Sequence, residues 1–256
     1  MSATKEPVIL DHPSANHGPR PDGMAIDMLL LHYTGMRSAE EALTRLCDPA
    51  SEVSAHYLID EAGAIYRLVA EDRRAWHAGR AFWAGETDIN SCSIGIEIAN
   101  PGHEFGYRDF PQAQMRAVEW LCLDILSRYP IPARRVLGHS DVAPDRKEDP
   151  GELFDWAGLA RAGVGIWPPQ DAAPASHETP SVEEIQRSLI RLGYAVEATG
   201  LTDAETRSAL LAFQRHWVPN GMTGARDPRT AWRLGQVLKA FLDGENSDLR
   251  SGPRGV

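Results

Sequence analysis

The sequence predicts an α/β domain with a central sheet, followed by a small all-α domain. Three observations carry this. Short apolar runs closed by turn residues alternate with helical stripes through residues 1–166, the signature of a sheet with packed helices. Residues 167–180 hold four prolines and no large aliphatic side chain, so they read as a semi-rigid linker. Beyond it, over residues 181–245, only helical spacing occurs. The 256 residues fit one or two domains at roughly 150 residues each.

Residues 1–23 are rich in Pro, Asp, His and Asn and read as an irregular arm. Met28–Thr34 is a short apolar run ended by Gly35, a buried strand by length and flanks. Ser38 and Glu41 have capping-box spacing and open a helix to about Cys47. Segments 55–60 and 64–69 flank Glu61-Ala62-Gly63 as a hairpin. In Ser93–Ala99, Ile94, Ile96 and Ile98 alternate with Gly95, Glu97 and Ala99, which is strand periodicity. Val118, Leu121, Cys122, Ile125, Leu126 and Tyr129 recur at helical spacing, so 111–129 is a long helix stopped by Pro130. Val136-Leu137 is a short strand leading into Gly138-His139.

In the second part Val182, Ile185, Leu189 and Leu192 make one stripe, ended by Gly193. Thr202 and Glu205 suggest a second capping box before Leu210, Phe213 and Trp217. Asp227-Pro228 gives an N-cap with proline in the first turn, before Leu234, Val237, Leu238 and Phe241. Residues 246–256 are expected to be a frayed tail.

The formal charge is -10, from 36 acidic and 26 basic residues. That is not the footprint of a nucleic-acid binder, and it disfavours adsorption to an anionic membrane. An anionic ligand must therefore meet a local cluster of cations. Cys47, Cys92 and Cys122 are odd in number and widely spaced, so they form no disulfide framework and read as small buried hydrophobes in a reducing compartment. The start carries no apolar signal segment, and the early run Met28–Leu31 is too short to span a membrane. A cytoplasmic location is expected if residue 1 is the native start, and a periplasmic one if a leader precedes it.

Two histidines stand where strands leave the core. His32 ends an apolar strand, and His139 opens a loop that packs four carboxylates and two cations into eleven positions, 139–149. Such a loop suits a metal or catalytic site on a rigid scaffold. The spacing alone also fits a satisfied strand-end histidine beside a solvated turn.

Five segments in order resemble the zinc-dependent N-acetylmuramoyl-L-alanine amidases of the AmpD and AmiD branch, which share the fold of peptidoglycan recognition proteins. They are Leu-Leu-His32-Tyr-Thr, the run from Val53 to Ile59, Arg74-Ala-Trp-His-Ala-Gly79, the run from Ser93 to Ile98, and the run from Gly138 to Gly151. The resemblance covers about residues 25–165 and implies a central mixed β-sheet flanked by helices. It implies Zn2+ as the cofactor, with His32, His139 and Asp149 as ligands and one position left open for catalysis. It further implies Glu97 as general base and Lys147 as donor to the developing oxyanion. Trp76 and His77 fall in the implied substrate groove. Asn100 and Arg146 are further candidate substrate contacts, Arg146 for a peptide carboxylate. Asp141 and Asp145 read as turn-formers, and His56 as a structural strand residue.

The second part resembles the three-helix peptidoglycan-binding domain. The resemblance rests on Ile185-Gln186, Leu192-Gly193-Tyr194, Thr199-Gly200, Asp203, Thr206, Phe213-Gln214, Gly221, Gly224 and Thr230. Most of these residues serve folding, Gln186 and Gln214 as buried amides bonded to loops. The implied activity is hydrolysis of the amide between the lactyl group of N-acetylmuramic acid and L-alanine. The implied partner is peptidoglycan or a muropeptide, with no nucleic acid and no membrane, acting as a monomer. A non-catalytic peptidoglycan-recognition protein is the competing expectation, although all three ligands and Glu97 are present.

Overall fold

A computed structural model describes residues 7–169 and 179–250, with backbone only over 245–250. The strands are β1 (Ile9–Asp11), β2 (His17–Pro19), β3 (Met28–Tyr33), β4 (Tyr57–Ile59), β5 (Ile65–Arg67), β6 (Arg73–Ala75), β7 (Ser93–Ile98) and β8 (Val136–Gly138). The α-helices are α1 (Ala39–Cys47), α2 (Ile89–Cys92), α3 (Gly102–Phe105), α4 (Gln112–Arg128), α5 (His139–Val142), α6 (Trp156–Arg161), α7 (Val182–Leu192), α8 (Ala204–Trp217) and α9 (Pro228–Arg250).

Six strands form one mixed sheet in the order β1-β5-β4-β7-β3-β8, and β2 pairs with β6 beside it. The centre of the sheet is parallel: β4 with β7, β7 with β3, and β3 with β8. Parallel strands buried on both faces need near-continuous apolar runs, and Met28–Leu31 and Ile94–Ile98 supply them. Alternation then sorts the side chains. Leu29 and Leu31 join Ile94, Ile96 and Ile98 against Val118, Leu121 and Ile125 of α4. Met28 and Leu30 face the opposite side. His32 shares their parity and Glu97 lies off the isoleucine face, so both turn away from α4.

That second face is covered by the C-terminal helices. One apolar cluster runs from Met28, Leu30 and Leu137 of the sheet through Trp83 and Val142 to Leu189, Phe213 and Trp217 of the bundle. The two parts share a core.

Several local expectations need correction. The arm is not irregular over 7–23: β1 joins the main sheet parallel to β5, and β2 pairs antiparallel with β6. Both pairings join residues more than fifty positions apart, so no local periodicity announces them. Ser38 caps α1 by accepting from the Glu41 backbone N–H, but the Glu41 carboxylate turns to the Arg37 N–H, so the capping box is half made. The Thr202–Glu205 box does not form. α8 starts one residue later, and the Asp203 carboxylate, a better acceptor than a hydroxyl, accepts from the Thr206 N–H at 2.8 Å. A full capping box does occur at Ser181 and Glu184. α9 runs on to Arg250, past the expected end at residue 245. Most of the linker, 170–178, and the last six residues lie outside the described residues.

Other expectations agree. β4 and β5 form the antiparallel hairpin. Gln186 accepts from the Gly200 N–H and donates to the Leu201 carbonyl, while Gln214 accepts from the Thr223 and Gly224 N–H groups. All three cysteines are free, and burial pushes the Cys92 thiol up to about 11.

Candidate metal centre and active-site cleft

Register places the chemistry. His32 pairs across with Glu97, Leu58 pairs with Glu97 from the other side, and Leu31 pairs with Gly138, the residue before His139. Three neighbouring parallel strands, each about 4.8 Å from the next, thus deliver His32, Glu97 and His139 at their carboxyl ends. Asp149 comes back to the same point because the Ser140 N–H donates to its carbonyl at 2.9 Å.

The three polar groups converge. His32 Nδ1 lies 2.9 Å from His139 Nδ1 and 2.9 Å from Asp149 Oδ2, and His139 Nδ1 lies 3.0 Å from that oxygen. All three residues are buried. Burial and the neighbouring His139 push His32 down to about 4. Burial alone raises Asp149, but the two imidazoles outweigh it and hold the carboxyl well below its ordinary value.

Hydrogen bonds on the outer side fix the tautomers. His139 Nε2 lies 3.0 Å from the Ala78 carbonyl, which can only accept, so the ring proton sits there and Nδ1 keeps its lone pair. Ser93 Oγ gives its proton to the Ile89 carbonyl at 2.5 Å and accepts from His77 Nε2 at 3.3 Å. His77 Nδ1 is therefore an acceptor, and it takes the His32 Nε2 proton at 3.1 Å. His32 Nδ1 is then a lone pair as well. Two imidazole lone pairs and a carboxylate oxygen meet within about 3 Å with no proton among them. They repel unless a cation joins them, and two neutral imidazoles plus one carboxylate suit zinc with an open position.

His77 is thus not simply a groove aromatic. Both its ring nitrogens are engaged, and it orients His32. Its ring fits only because residue 95 is glycine: a Cβ there falls 2.5 Å from His77 Cγ. The His77 and Ala78 N–H groups both donate to Asn90 Oδ1, which holds this loop in place.

A cleft of about 510 Å³ opens onto the triad, lined by Tyr33, Arg45, Trp76, Glu97 and Lys147, among others. Glu97 Oε2 is buried with no hydrogen-bond partner among the described residues. Burial, then the Asp149 charge, raises its carboxyl well above the ordinary range, with Lys147 pulling the other way. Trp76 is half-buried on the cleft wall, and its backbone N–H donates to Ser54 Oγ.

Two candidate substrate contacts also carry structural bonds. Asn100 is buried, accepts from the Gly102 N–H and donates to the Arg108 carbonyl, so its amide is spent on the loop after β7. Arg146 donates to the carbonyls of Ala78 and Arg80. It braces the carbonyl that holds His139 through Nη2, while the residue stays exposed and lines the cleft. Conversely, Arg45 was not anticipated. It is exposed on α1, lines the cleft and has no acidic partner among the described residues. Nothing in its local sequence separates it from any surface arginine. His56 is structural as expected: its Nδ1 accepts from the Gly95 N–H at 2.9 Å, and burial and Arg20 push it down to about 3. Asp141 is more than a turn-former, since it is fully buried and accepts from two residues of the bundle.

Comparison with known proteins shows which proteins the chain is similar to. Residues 22–152 match the N-acetylmuramoyl-L-alanine amidase family, and residues 178–234 match a peptidoglycan binding domain family. N-acetylmuramoyl-L-alanine amidase AmiD of Escherichia coli is 36% identical over 241 residues, 87% of this chain and 84% of that protein. The 1,6-anhydro-N-acetylmuramyl-L-alanine amidase AmpD of Escherichia coli is 37% identical over 162 residues, 57% of this chain and 86% of that protein. Among solved structures, E. coli AmiD in complex with anhydro-N-acetylmuramic acid-L-Ala-D-gamma-Glu-L-Lys superposes with a TM-score of 0.77 at 34% identity, covering 86% of this chain and 92% of that one. AmpDh3 from Pseudomonas aeruginosa gives 0.78 at 35% identity, covering 87% and 94%.

Proposed function

The chain belongs to the N-acetylmuramoyl-L-alanine amidase family, and on that premise we propose a zinc hydrolase that takes soluble anhydro-muropeptides as well as peptidoglycan, with His32, His139 and Asp149 holding the metal. It cleaves the amide between the lactyl group of N-acetylmuramic acid and L-alanine. The observation that carries the metal assignment is the convergence of three proton-free donor atoms at 2.9–3.0 Å, the two imidazoles fixed from outside by hydrogen bonds to His77 and Ala78.

Zinc bound there would polarise the scissile carbonyl and bring the pKa of water to about 7. Glu97 sits one strand over from His32, with Oε2 free to take a water proton. The same oxygen then hands that proton to the departing alanine amine, so one carboxyl serves as base and acid in turn. Lys147 makes no side-chain hydrogen bond among the described residues and faces the cleft, so its ammonium is available to the oxyanion. Trp76 offers an apolar face to the substrate. Arg45 meets a stem-peptide carboxylate from the wall formed by α1. Residues 1–166 carry the chemistry, 167–180 link, and 181–245 bind the wall polymer.

No described helix is long and apolar enough to cross a membrane. Metal analysis of the purified chain, with turnover measured on anhydro-muropeptides and on intact sacculi, tests the proposal. Bound zinc in about one equivalent and turnover that is lost on chelation and restored by zinc are expected. Undiminished turnover in His32→Ala refutes the metal assignment. Activity on sacculi with none on anhydro-muropeptides refutes the substrate assignment.

A further inference from the structure

The loop that brings His139 and Asp149 together is not held by the catalytic sheet alone. Asp141 lies one turn beyond Gly138, and its carboxylate is fully buried. Oδ2 accepts from the Gly138 N–H at 2.8 Å, which pins the residue before His139. The remaining donors come from the C-terminal bundle: Tyr194 Oη at 2.8 Å to Oδ1 and His216 Nδ1 at 2.7 Å to Oδ2. The His216 ring is itself clamped, stacked on Trp156 at 3.8 Å and on Trp217 at 3.6 Å between centroids. The preceding residue of α8, Arg215, reaches the other end of the loop. Its Nη2 lies 3.3 Å from Oε1 of Glu148, the neighbour of Asp149, and its side chain is 7% exposed.

We infer that the end of α8 is a positioning element of the metal centre, with His216 and Arg215 setting the placement of His139 and Asp149 from outside the catalytic domain. The inference rests on these two residues being metal ligands, as proposed above. The physical reason is the cost of the alternative. Without its bundle donors, Asp141 is a buried carboxylate with one backbone partner, and such a group must move toward water or draw water in. Gly138 moves with it, and His139 follows. Groups bonded directly to a ligand are worth about 10–100-fold in metal affinity when removed, and His216 and Arg215, which act through intervening residues, fall toward the lower end of that range. The bundle therefore has a role in the catalytic domain distinct from any wall binding. Its attachment through a shared core, rather than by a linker alone, is what makes the role possible.

Zinc affinity of the full chain, measured by competition with a chromophoric chelator, tests this without reference to turnover. His216→Leu and Arg215→Met are expected to weaken zinc binding about 10-fold. His216→Asn, which keeps a donor near the Nδ1 position, is expected to stay close to wild type. Val237→Ala truncates the bundle core at a fully buried residue of α9, outside the α8 end and the 139–149 loop. It is expected to lower the melting temperature and leave zinc affinity unchanged. Wild-type affinity in Arg215→Met and His216→Leu overturns the inference, as does an equal loss in Val237→Ala, which would mean general destabilisation. If His216→Leu does not fold, Arg215→Met and His216→Asn decide between the same outcomes. A wild-type chain that binds no zinc, or a His32→Ala chain that binds it normally, overturns the metal assignment itself and the inference with it.

Discussion

Replacing His77 by Phe should weaken metal binding without unfolding the domain. The ring of His77 stands behind His32 and takes its Nε2 proton at 3.1 Å. Phe keeps the aromatic fill against Gly95 and removes both nitrogens. His32 is 1% exposed, so water cannot readily replace the lost acceptor. In the metal-free protein His32 has a way out. It can move its proton to Nδ1 and donate to Asp149 Oδ2, 2.9 Å away. In the metal-bound protein Nδ1 is needed as a ligand, so the proton must stay on Nε2 without a partner. The penalty of an unsatisfied buried donor, about 1–3 kcal/mol, therefore falls on the bound state alone. Zinc affinity should drop by about five- to 150-fold, with little change in the metal-free melting temperature. Chelator competition reads the affinity, and thermal unfolding with the metal removed reads the fold. His77→Asn, which can place an acceptor near the Nδ1 position, should recover part of the loss. Unaltered zinc affinity in a folded His77→Phe chain would refute the tautomer chain from Ser93 to His32.

Glu97→Gln should retain zinc and lose about 10²–10⁴ in kcat, because it keeps the shape of the side chain and removes its proton transfer; unchanged kcat would exclude it as the base. Lys147→Met should cost about 10²–10³ in kcat with little change in KM, the split expected of a donor to developing charge. Arg45→Ala should raise KM a few-fold and leave kcat alone, since an exposed ion pair contributes only about 0.2–1 kcal/mol; the effect should vanish on a substrate lacking the stem carboxylates. Glu71 gives a pH signature in stability. Burial raises its carboxyl, but bonds from Arg128, from Tyr57 at 2.8 Å and from Tyr129 at 3.0 Å outweigh this and lower it. A lowered folded pKa means stability that is present above the ordinary carboxylate range and lost as pH falls through the folded value. Glu71→Gln should therefore destabilise by roughly 1.5–3 kcal/mol at pH 7, with the difference shrinking below the ordinary value of 4.5, as chemical denaturation across pH will show.

The sequence made the central strands legible because they are apolar on both faces and bounded by glycine or proline. β3, β7 and α4 needed no tertiary information. The two strands of the N-terminal arm were invisible for the opposite reason: Ile9–Asp11 and His17–Pro19 exist only through partners far along the chain. The site divides in the same way. His32 and His139 stand at strand ends, where a polar residue interrupts an apolar run and draws notice, whereas Glu97 is picked out only by the resemblance. Spacing alone favours a solvated turn over a metal site; the five ordered motifs join the three residues by resemblance, and the register of β3, β7 and β8 supplies the physical reason. His77, Asn100 and Arg146 illustrate the limit. Each stands in or near a motif, and polarity in a motif suggests contact with substrate. Whether such a group faces the cleft or braces a loop depends on where its hydrogen bonds go, and for His77 and Arg146 that is decided by residues 13 to 68 positions away, for Asn100 by the turn of the following loop. Asp141 was hidden by the same blindness, since its main partners come from α8 and the chain just after α7.

The net charge of -10 gives the cleft's two uncommitted cations different work. An acidic chain must meet a substrate carboxylate locally, and beside Arg146, which already donates to two carbonyls, the cleft offers Arg45 and Lys147. Lys147 stands close enough to the centre for its charge to act on both Glu97 and His32. If it also held a fixed carboxylate in the ground state, its attraction would be spent before charge developed on the scissile carbonyl, and uniform binding does not raise kcat. The anion that substrate carries throughout the reaction is better met elsewhere, by a group whose interaction stays constant. Arg45 fits that condition. It projects from α1 rather than from the metal loop, and it is exposed, so solvent and salt confine its field to its own surroundings. A loss confined to KM in Arg45→Ala and one confined to kcat in Lys147→Met are therefore two halves of one requirement, and an exchange of those signatures would reverse the assignment of both residues.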